Sequence, residues 1–422
     1  MTIIDDLAAW HAQLAALPTH HPRRWGARML ALGSFGVLVA VLLTPPWASI
    51  GLGVAIAGAI LARAPLLSAM RLPWMWCGIA YALWLMAACA IATWSGLEGA
   101  SLRPPGPAWT WLAAPVVALG LTDRKTRTQC MTALVILLLG SVALAVVQFC
   151  VGLGDGRLKI DPLGPRFTTA RGLAELHLTF GLACALLMVL AMQRQSVLGL
   201  SPVSTWLLRG AAYLGLLVCG SRSALLGAAA GVCSTLGARG LKWLLIGCAL
   251  VAVGLSVLGG RMLLTEPSRA QATIQMQDGR TPIWRTSLHL ISERPLTGWG
   301  GNKGFQPAFR DAYATINPGS TPEFLDGAPH AHNSALALAS QFGLPAVILH
   351  AAFWLIALVW LWQRRIASPE AWQLGIGVAS VAIIGGLFEP YATRVLQGIG
   401  IHAMLGVALA LDHPEKSRDL RA

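Results

Sequence analysis

CMTALVILLLGSVALAVVQFCV, residues 130–151, runs without a single charged side chain. As an α-helix rising about 1.5 Å per residue, it spans the roughly 30 Å hydrocarbon core of a bilayer. Working outward, similar apolar runs recur upstream at Ala27–Leu43, Ala48–Ala64, Trp74–Trp94 and Trp109–Leu121. Downstream they recur at Leu173–Met192, Ser204–Cys219, Ser223–Leu236, Leu241–Leu258, Leu344–Trp362, Ala371–Phe388 and Val395–Leu411. The length rule therefore predicts about twelve spans, the fourth short enough to be re-entrant. The alternating ten-residue segments of a membrane β-barrel do not appear. The fold class expected is an all-α polytopic membrane protein.

Composition agrees. Of 422 residues, 55% are hydrophobic and 12% charged, with mean hydropathy +0.63. A soluble protein carries about 25% charged residues. The net charge of +13 would suggest nucleic acid as a partner in a soluble chain, but here cytoplasmic loops absorb it. The eight cysteines fall in apolar runs and form no C-x-x-C pair. Residues before Ala27 lack the pattern of a cleaved signal peptide.

Arg23-Arg24, Arg63, Arg71, Arg124-Lys125, Arg194, Arg239 and Arg364-Arg365 fall on alternate loops, which places both termini in the cytoplasm. Five regions are expected. Residues 1–26 form a cytoplasmic segment, 27–260 carry nine spans, and 261–332 form a large periplasmic loop. Residues 333–412 carry the final three spans and 413–422 a cytoplasmic tail. The large loop is expected to be partly helical. Apolar Ile283, Trp284, Leu288 and Ile291 suit an amphipathic helix over Thr281–Glu293 lying on the membrane. Pro295, Gly298, Gly300 and Gly301 follow as a turn-rich segment. No convincing internal repeat is present.

Arginines on the outer loops break the positive-inside pattern. Arg222 lies in Gly220-Ser221-Arg222-Ser223, between two spans joined by almost no loop. Charge near membrane depth marks a ligand site, or else the side chain snorkels to headgroups. The flanking Ser221 and Ser223 add hydrogen-bond donors. Arg280 stands two residues before Pro282, which suits the first turn of a helix. A helix start attracts phosphate, while a solvated pair with Asp278 is the alternative. Arg285, one turn on, fits either reading. Arg166 and Arg171 flank Phe167–Ala170 and could fork onto phosphate oxygens or meet headgroups.

His332, followed by Asn333 and preceded by His330, ends the long loop. It could take a proton from a hydroxyl nucleophile or cap the next helix. With His330 it could also hold zinc, but no third donor stands at helical spacing, so no metal is expected. Glu175, His177 and Glu389, at span ends, are expected to pair with Arg171 or Arg394. Walker, G-x-S-x-G and Rossmann motifs are missing from the sequence.

Three segments resemble the O-antigen ligase and polymerase superfamily of bacterial inner membranes. They are His332-Asn333-x-x-Leu336 with Gly343 after six further residues, the turn Gly220–Leu226, and Arg280…Trp284…Pro295-x-x-Gly298-x-Gly300. The resemblance implies a GT-C-like architecture and a metal-independent glycosyltransferase needing no cofactor or nucleotide. Its donor would be undecaprenyl-diphosphate-linked O-antigen and its acceptor a sugar hydroxyl of lipid A–core. Membrane lipids would be its other partners, and nucleic acid would not. His332 would be the base, with Asp326 as the alternative. Arg222 and Arg280 would hold the diphosphate, with Arg166 and Arg171 as weaker members. Ser221, Arg285, His330 and Asn333 would support them. The implied location is the inner membrane with a periplasmic active site. An O-antigen polymerase and a protein O-oligosaccharyltransferase are alternatives within the superfamily. A flippase for polyprenyl-linked glycans is the alternative of a different class, and it should carry charge deep in several spans.

Overall fold

The structure, a computed structural model, describes residues 3–65, 72–103, 105–150, 153–154, 157–158, 170–174, 176–193, 198–237, 280–318 and 330–411. The described helices are α1 (Ile3–Ala16), α2 (Pro22–Val39), α3 (Pro45–Ala62), α4 (Pro73–Trp94), α5 (Ala113–Gly120) and α6 (Arg124–Cys150). They continue with α7 (His177–Ala191), α8 (Pro202–Cys219), α9 (Arg222–Leu236), α10 (Arg280–Glu293) and α11 (Gly301–Ile316). The last four are α12 (Ser334–Phe342), α13 (Leu344–Gln363), α14 (Pro369–Gly386) and α15 (Val395–Ala410). A two-residue antiparallel pair, Leu153–Gly154 with Arg157–Leu158, follows α6.

Local chemistry explains many of the boundaries. Prolines open α2, α3, α4, α8, α13 and α14, where a missing N–H costs nothing. Ser201, Ser221 and Asn333 cap the starts of α8, α9 and α12 through their side-chain oxygens. Gly220 ends α8 in the left-handed conformation.

Among the described residues six helical segments are long and apolar enough to cross a membrane: Pro22–Leu42, α3, α4, α6, α8 and α13. Their outward faces carry Ile60, Trp76, Leu83, Ile136, Trp206, Leu217, Ile348 and Leu355, all exposed. So many large apolar side chains around a bundle need lipid as solvent. The chain is a helical membrane protein. The shorter apolar helices α7 and α15 sit inside it, buried on nearly every face, as helices that are apolar all round should be.

The fourth apolar run differs from the other runs. Gly106–Leu112 winds as a 3-10 helix and α5 adds only eight residues, about 12 Å. Most of its residues pack into the interior. The ninth run, Leu241–Leu258, lies outside the described residues, as do 261–279 and 319–329 of the large loop.

The loop helix expected over Thr281–Glu293 is present as α10. Its apolar face turns toward protein rather than lipid. Ile283 and Leu290 join Phe305, Phe309 and Tyr313 of α11 in a separate small core. Leu288 faces outward. Two glycines lock this unit to α12. A side chain at Gly298 would strike the backbone at Gln341 and Phe342, and one at Gly343 would strike the Leu296 carbonyl. Leu344 N–H also donates to the Pro295 carbonyl at 2.7 Å, and Trp299 N–H to that of Ser340 at 3.0 Å. The glycine that closes the histidine motif is therefore a docking point for the loop.

Candidate active site

Three distant segments meet where α12 begins. Asn333, capping α12, accepts from Leu336 N–H and donates its amide to the Leu387 carbonyl, each at 3.0 Å. Ser334 donates to the Glu389 carbonyl at 2.9 Å and accepts from Ala392 N–H at 3.3 Å. These bonds clamp the turn between α14 and α15 against the histidine segment. Pro390, which cannot continue a helix, makes that turn. The third segment is the start of α10, which supplies Arg280.

The clamp puts Glu389 beside His332, with Oε2 3.9 Å from Nδ1. Arg280 approaches the other carboxylate oxygen at 3.8 Å and lies over the Phe388 ring at 5.6 Å. The His330 ring stacks on His332 at 3.9 Å between centroids, and Arg394 reaches His330 Nε2 at 3.4 Å. Glu389 is 4% exposed and His332 29%. Both His332 Nδ1 and Glu389 Oε2 are buried without a hydrogen-bond partner. Two such groups left unpaired are costly unless function retains them. His332 also has φ +48°, in the left-handed region, where a side chain costs about 1–3 kcal/mol and which clusters at functional sites.

Charge in the cluster follows from burial. Desolvation, then His330, Arg280 and Arg394, push the His332 imidazole down to about 3. Burial pushes the Glu389 carboxyl up to about 7, against the pull of Arg280 and Arg394. At neutral pH His332 is therefore uncharged, and its contact with Glu389 is not an ion pair. With Nδ1 turned to the carboxylate, Nε2 is the nitrogen left for a substrate. A carboxylate–imidazole pair of this kind fixes the tautomer that can accept a proton.

The turn carrying Arg222 adjoins the same region. Ser221 caps α9 by accepting from Ala224 N–H and lies 3.0 Å from Ser223 Oγ. Tyr391, two residues past Glu389, brings its buried hydroxyl up to Ser223 without closing a hydrogen bond of good geometry. Arg222, the first residue of α9, is exposed. Among the described residues no hydrogen bond or ion pair joins it to the His332 cluster. Arg171 is held near this turn: Ala170 N–H donates to the Val218 carbonyl, and Arg171 N–H to Gln148.

Other expected residues fare differently. Arg280 is the first described residue of α10, and its ion-pair partner is Glu389. Arg285, five positions on, is rotated about 140° around the helix and is exposed, outside the cluster. Helix capping falls to Asn333, not His332. Glu389 was expected to pair with Arg171 or Arg394; it pairs with Arg280, with Arg394 close enough to act on its charge. Arg166, Asp326, Glu175 and Asp278 lie outside the described residues.

Glu389 is also the third donor that local spacing could not reveal. With His330 and His332 it offers ligand atoms within 4.8 Å of one another. A divalent cation could use that set. The Arg280 and Arg394 guanidiniums beside it oppose one and favour an anion instead.

Residues 179–351 match a family model described as O-antigen ligase. The match includes Ser221, Arg222, Arg280, His330, His332 and Asn333, and stops short of Glu389 and Arg394. No protein of curated function matches the chain.

Proposed function

We propose that this chain, which carries an O-antigen ligase domain consistent with the ligase and polymerase superfamily, ligates glycan to lipid. The reading is a metal-independent transfer of O-antigen from undecaprenyl diphosphate to a sugar hydroxyl of lipid A–core. It takes place on the periplasmic face of the inner membrane, with both termini in the cytoplasm. About twelve crossings in a GT-C-like arrangement belong to the same reading.

The observation that carries it is the juxtaposition of His332, Glu389 and Arg280. His332 takes the proton from the acceptor hydroxyl as that oxygen attacks the anomeric carbon. Glu389 orients the imidazole and stabilises the imidazolium that forms. Closing the 3.9 Å gap by about 1 Å makes the hydrogen bond. The bond from the anomeric carbon to the diphosphate oxygen breaks, and its electron pair leaves with undecaprenyl diphosphate. Arg280 and Arg222 hold that diphosphate, with Arg394 and Arg171 nearby. Fixed guanidiniums stabilise the charge as it develops. The bound diphosphate offsets Arg280 and Arg394, two of the groups that depress the His332 basicity, so donor binding raises the basicity of the base. Two membrane-bound substrates held together add effective concentration.

Purified protein in detergent with EDTA tests the reading when supplied with undecaprenyl-diphosphate O-antigen, with and without lipid A–core. Glycosylated lipid A–core formed only when acceptor is present supports a ligase. Chains that lengthen on the carrier without core indicate a polymerase. A folded preparation that does neither favours transport.

A further inference from the structure

At the far end of the molecule from His332 lies a cleft of about 770 Å³ between α1, α2, α5 and α6. The two sites sit at opposite ends of α15. Arg394, which reaches His330, caps its start at Val395, and Ala410 marks its end. Arg127, on the α6 turn next to the cleft, donates to the Ala410, Leu121 and Thr122 carbonyls. A sixteen-residue helix is about 24 Å long, so the length of α15 separates the cleft from the candidate active site.

Its lining has two parts. Leu32, Phe35, Cys130 and Ala133 form an apolar wall along α2 and α6. Arg24, Arg28 and Lys125 stand at one end of that wall. Asp123 is the carboxylate among them, and it accepts from Thr126 N–H to cap α6. Three cations against one engaged carboxylate leave the polar end positive. Arg24 spends two N–H groups on the Leu14 and Ala15 carbonyls, out of five in a guanidinium. Arg28 lies over the exposed Trp25 ring at 5.2 Å, an arrangement typical of headgroup depth. An apolar wall inside a bilayer is filled by a chain. The positive end selects which headgroup that chain carries.

We infer that this cleft is a binding site for one anionic phospholipid, its phosphate held by Arg28, Lys125 and Arg24 and an acyl chain laid along Leu32, Phe35 and Ala133. The volume falls within the range of clefts that hold small molecules. Each cation near the headgroup favours an anionic lipid by roughly fivefold.

Native mass spectrometry of the delipidated protein in detergent tests the inference without reference to glycosyl transfer. Phosphatidylglycerol, phosphatidylethanolamine and inorganic phosphate are titrated separately. The expected result is a single phosphatidylglycerol adduct, at least about tenfold tighter than phosphatidylethanolamine. That preference should vanish in Arg28→Ala/Lys125→Ala, whose side chains are both exposed and whose melting temperature should hold. Phe35→Trp, which narrows the apolar wall, should weaken both lipids together. Equal binding of the two lipids by wild type overturns the inference, as does an unchanged preference in the double variant. Phosphate binding as tightly as the lipid also overturns it, because the apolar wall would then contribute nothing.

Discussion

Two of the neighbourhoods built around histidine among the described residues treat it differently. His402, inside α15, donates from Nδ1 to the Gly398 carbonyl one turn earlier at 2.7 Å. Trp354 stacks on it at 5.8 Å, Phe353 meets it edge-on at 5.2 Å, and His350 nearby rests against Tyr81. His402 is thus satisfied by its own helix and packed by aromatics. His332 sits in a strained backbone, with Nδ1 unpaired and a carboxylate and two guanidiniums around it. Burial alone does not separate a packing histidine from a reactive one. The difference lies in whether local structure completes the ring's hydrogen bonds or leaves one for a partner brought from far along the chain.

The largest contrast should come from removing each ring. His332→Ala is expected to lower glycosyl transfer by about 10²–10⁴-fold with an unchanged melting temperature. His402→Ala should instead leave a cavity costing roughly 2 kcal/mol or more and lower the melting temperature. Its folded fraction should keep near-normal turnover. Steady-state assays beside thermal melts in detergent separate the two, and equal effects would erase the contrast.

Arg280→Ala is expected to cost about 10²–10³-fold, whereas Arg285→Ala, on the opposite face of α10, should remain close to wild type. A comparable loss in both would mean that the loop acts through its overall charge.

Glu389 carries the pH dependence. Its carboxyl is raised to about 7, so the ionised form is lost as pH falls through 7. His332, held near 3, stays neutral across that window and adds no limb of its own in the free protein. Transfer at limiting substrate should therefore climb as pH rises from 6 to 8 through about 7. Glu389→Gln should flatten that limb and slow the plateau by at least about tenfold. An unchanged limb in the variant would assign it to another group.

The smallest effect belongs to the clamp. Asn333→Ala should cost about 1 kcal/mol through the lost cap, a melting shift of roughly 2 °C. Turnover should fall modestly as the Leu387 contact is lost.

Much of the membrane fold was legible because span length is a local property of sequence. The run 130–151 reads as a crossing without knowledge of its neighbours, and its residues 130–150 stand inside α6. The winding of Gly106–Gly120, a 3-10 helix followed by the eight residues of α5, was not legible, because tertiary packing rather than apolarity sets how a short apolar run is wound and buried. In the candidate site, His332 and Arg280 were visible through their spacing and their place at a loop end and a helix start. Glu389 was visible only as a carboxylate before Pro390 at the end of an apolar run. Its partner could not be read, because the bonds from Asn333 and Ser334 that bring it to His332 join segments more than fifty residues apart. Local periodicity carries no information at that range. Arg285, which fitted either reading, could not be placed for the converse reason: closeness in sequence to Arg280 does not put it on the same side of α10.

The most direct test separates binding from chemistry at the cluster. Undecaprenyl-diphosphate-linked donor is titrated onto purified wild type, His332→Ala and Arg280→Ala, and transfer to lipid A–core is measured on the same samples. The expected result is that His332→Ala binds donor like wild type but transfers almost nothing, while Arg280→Ala loses donor affinity. Full transfer by folded His332→Ala would contradict the assignment of this histidine as the base.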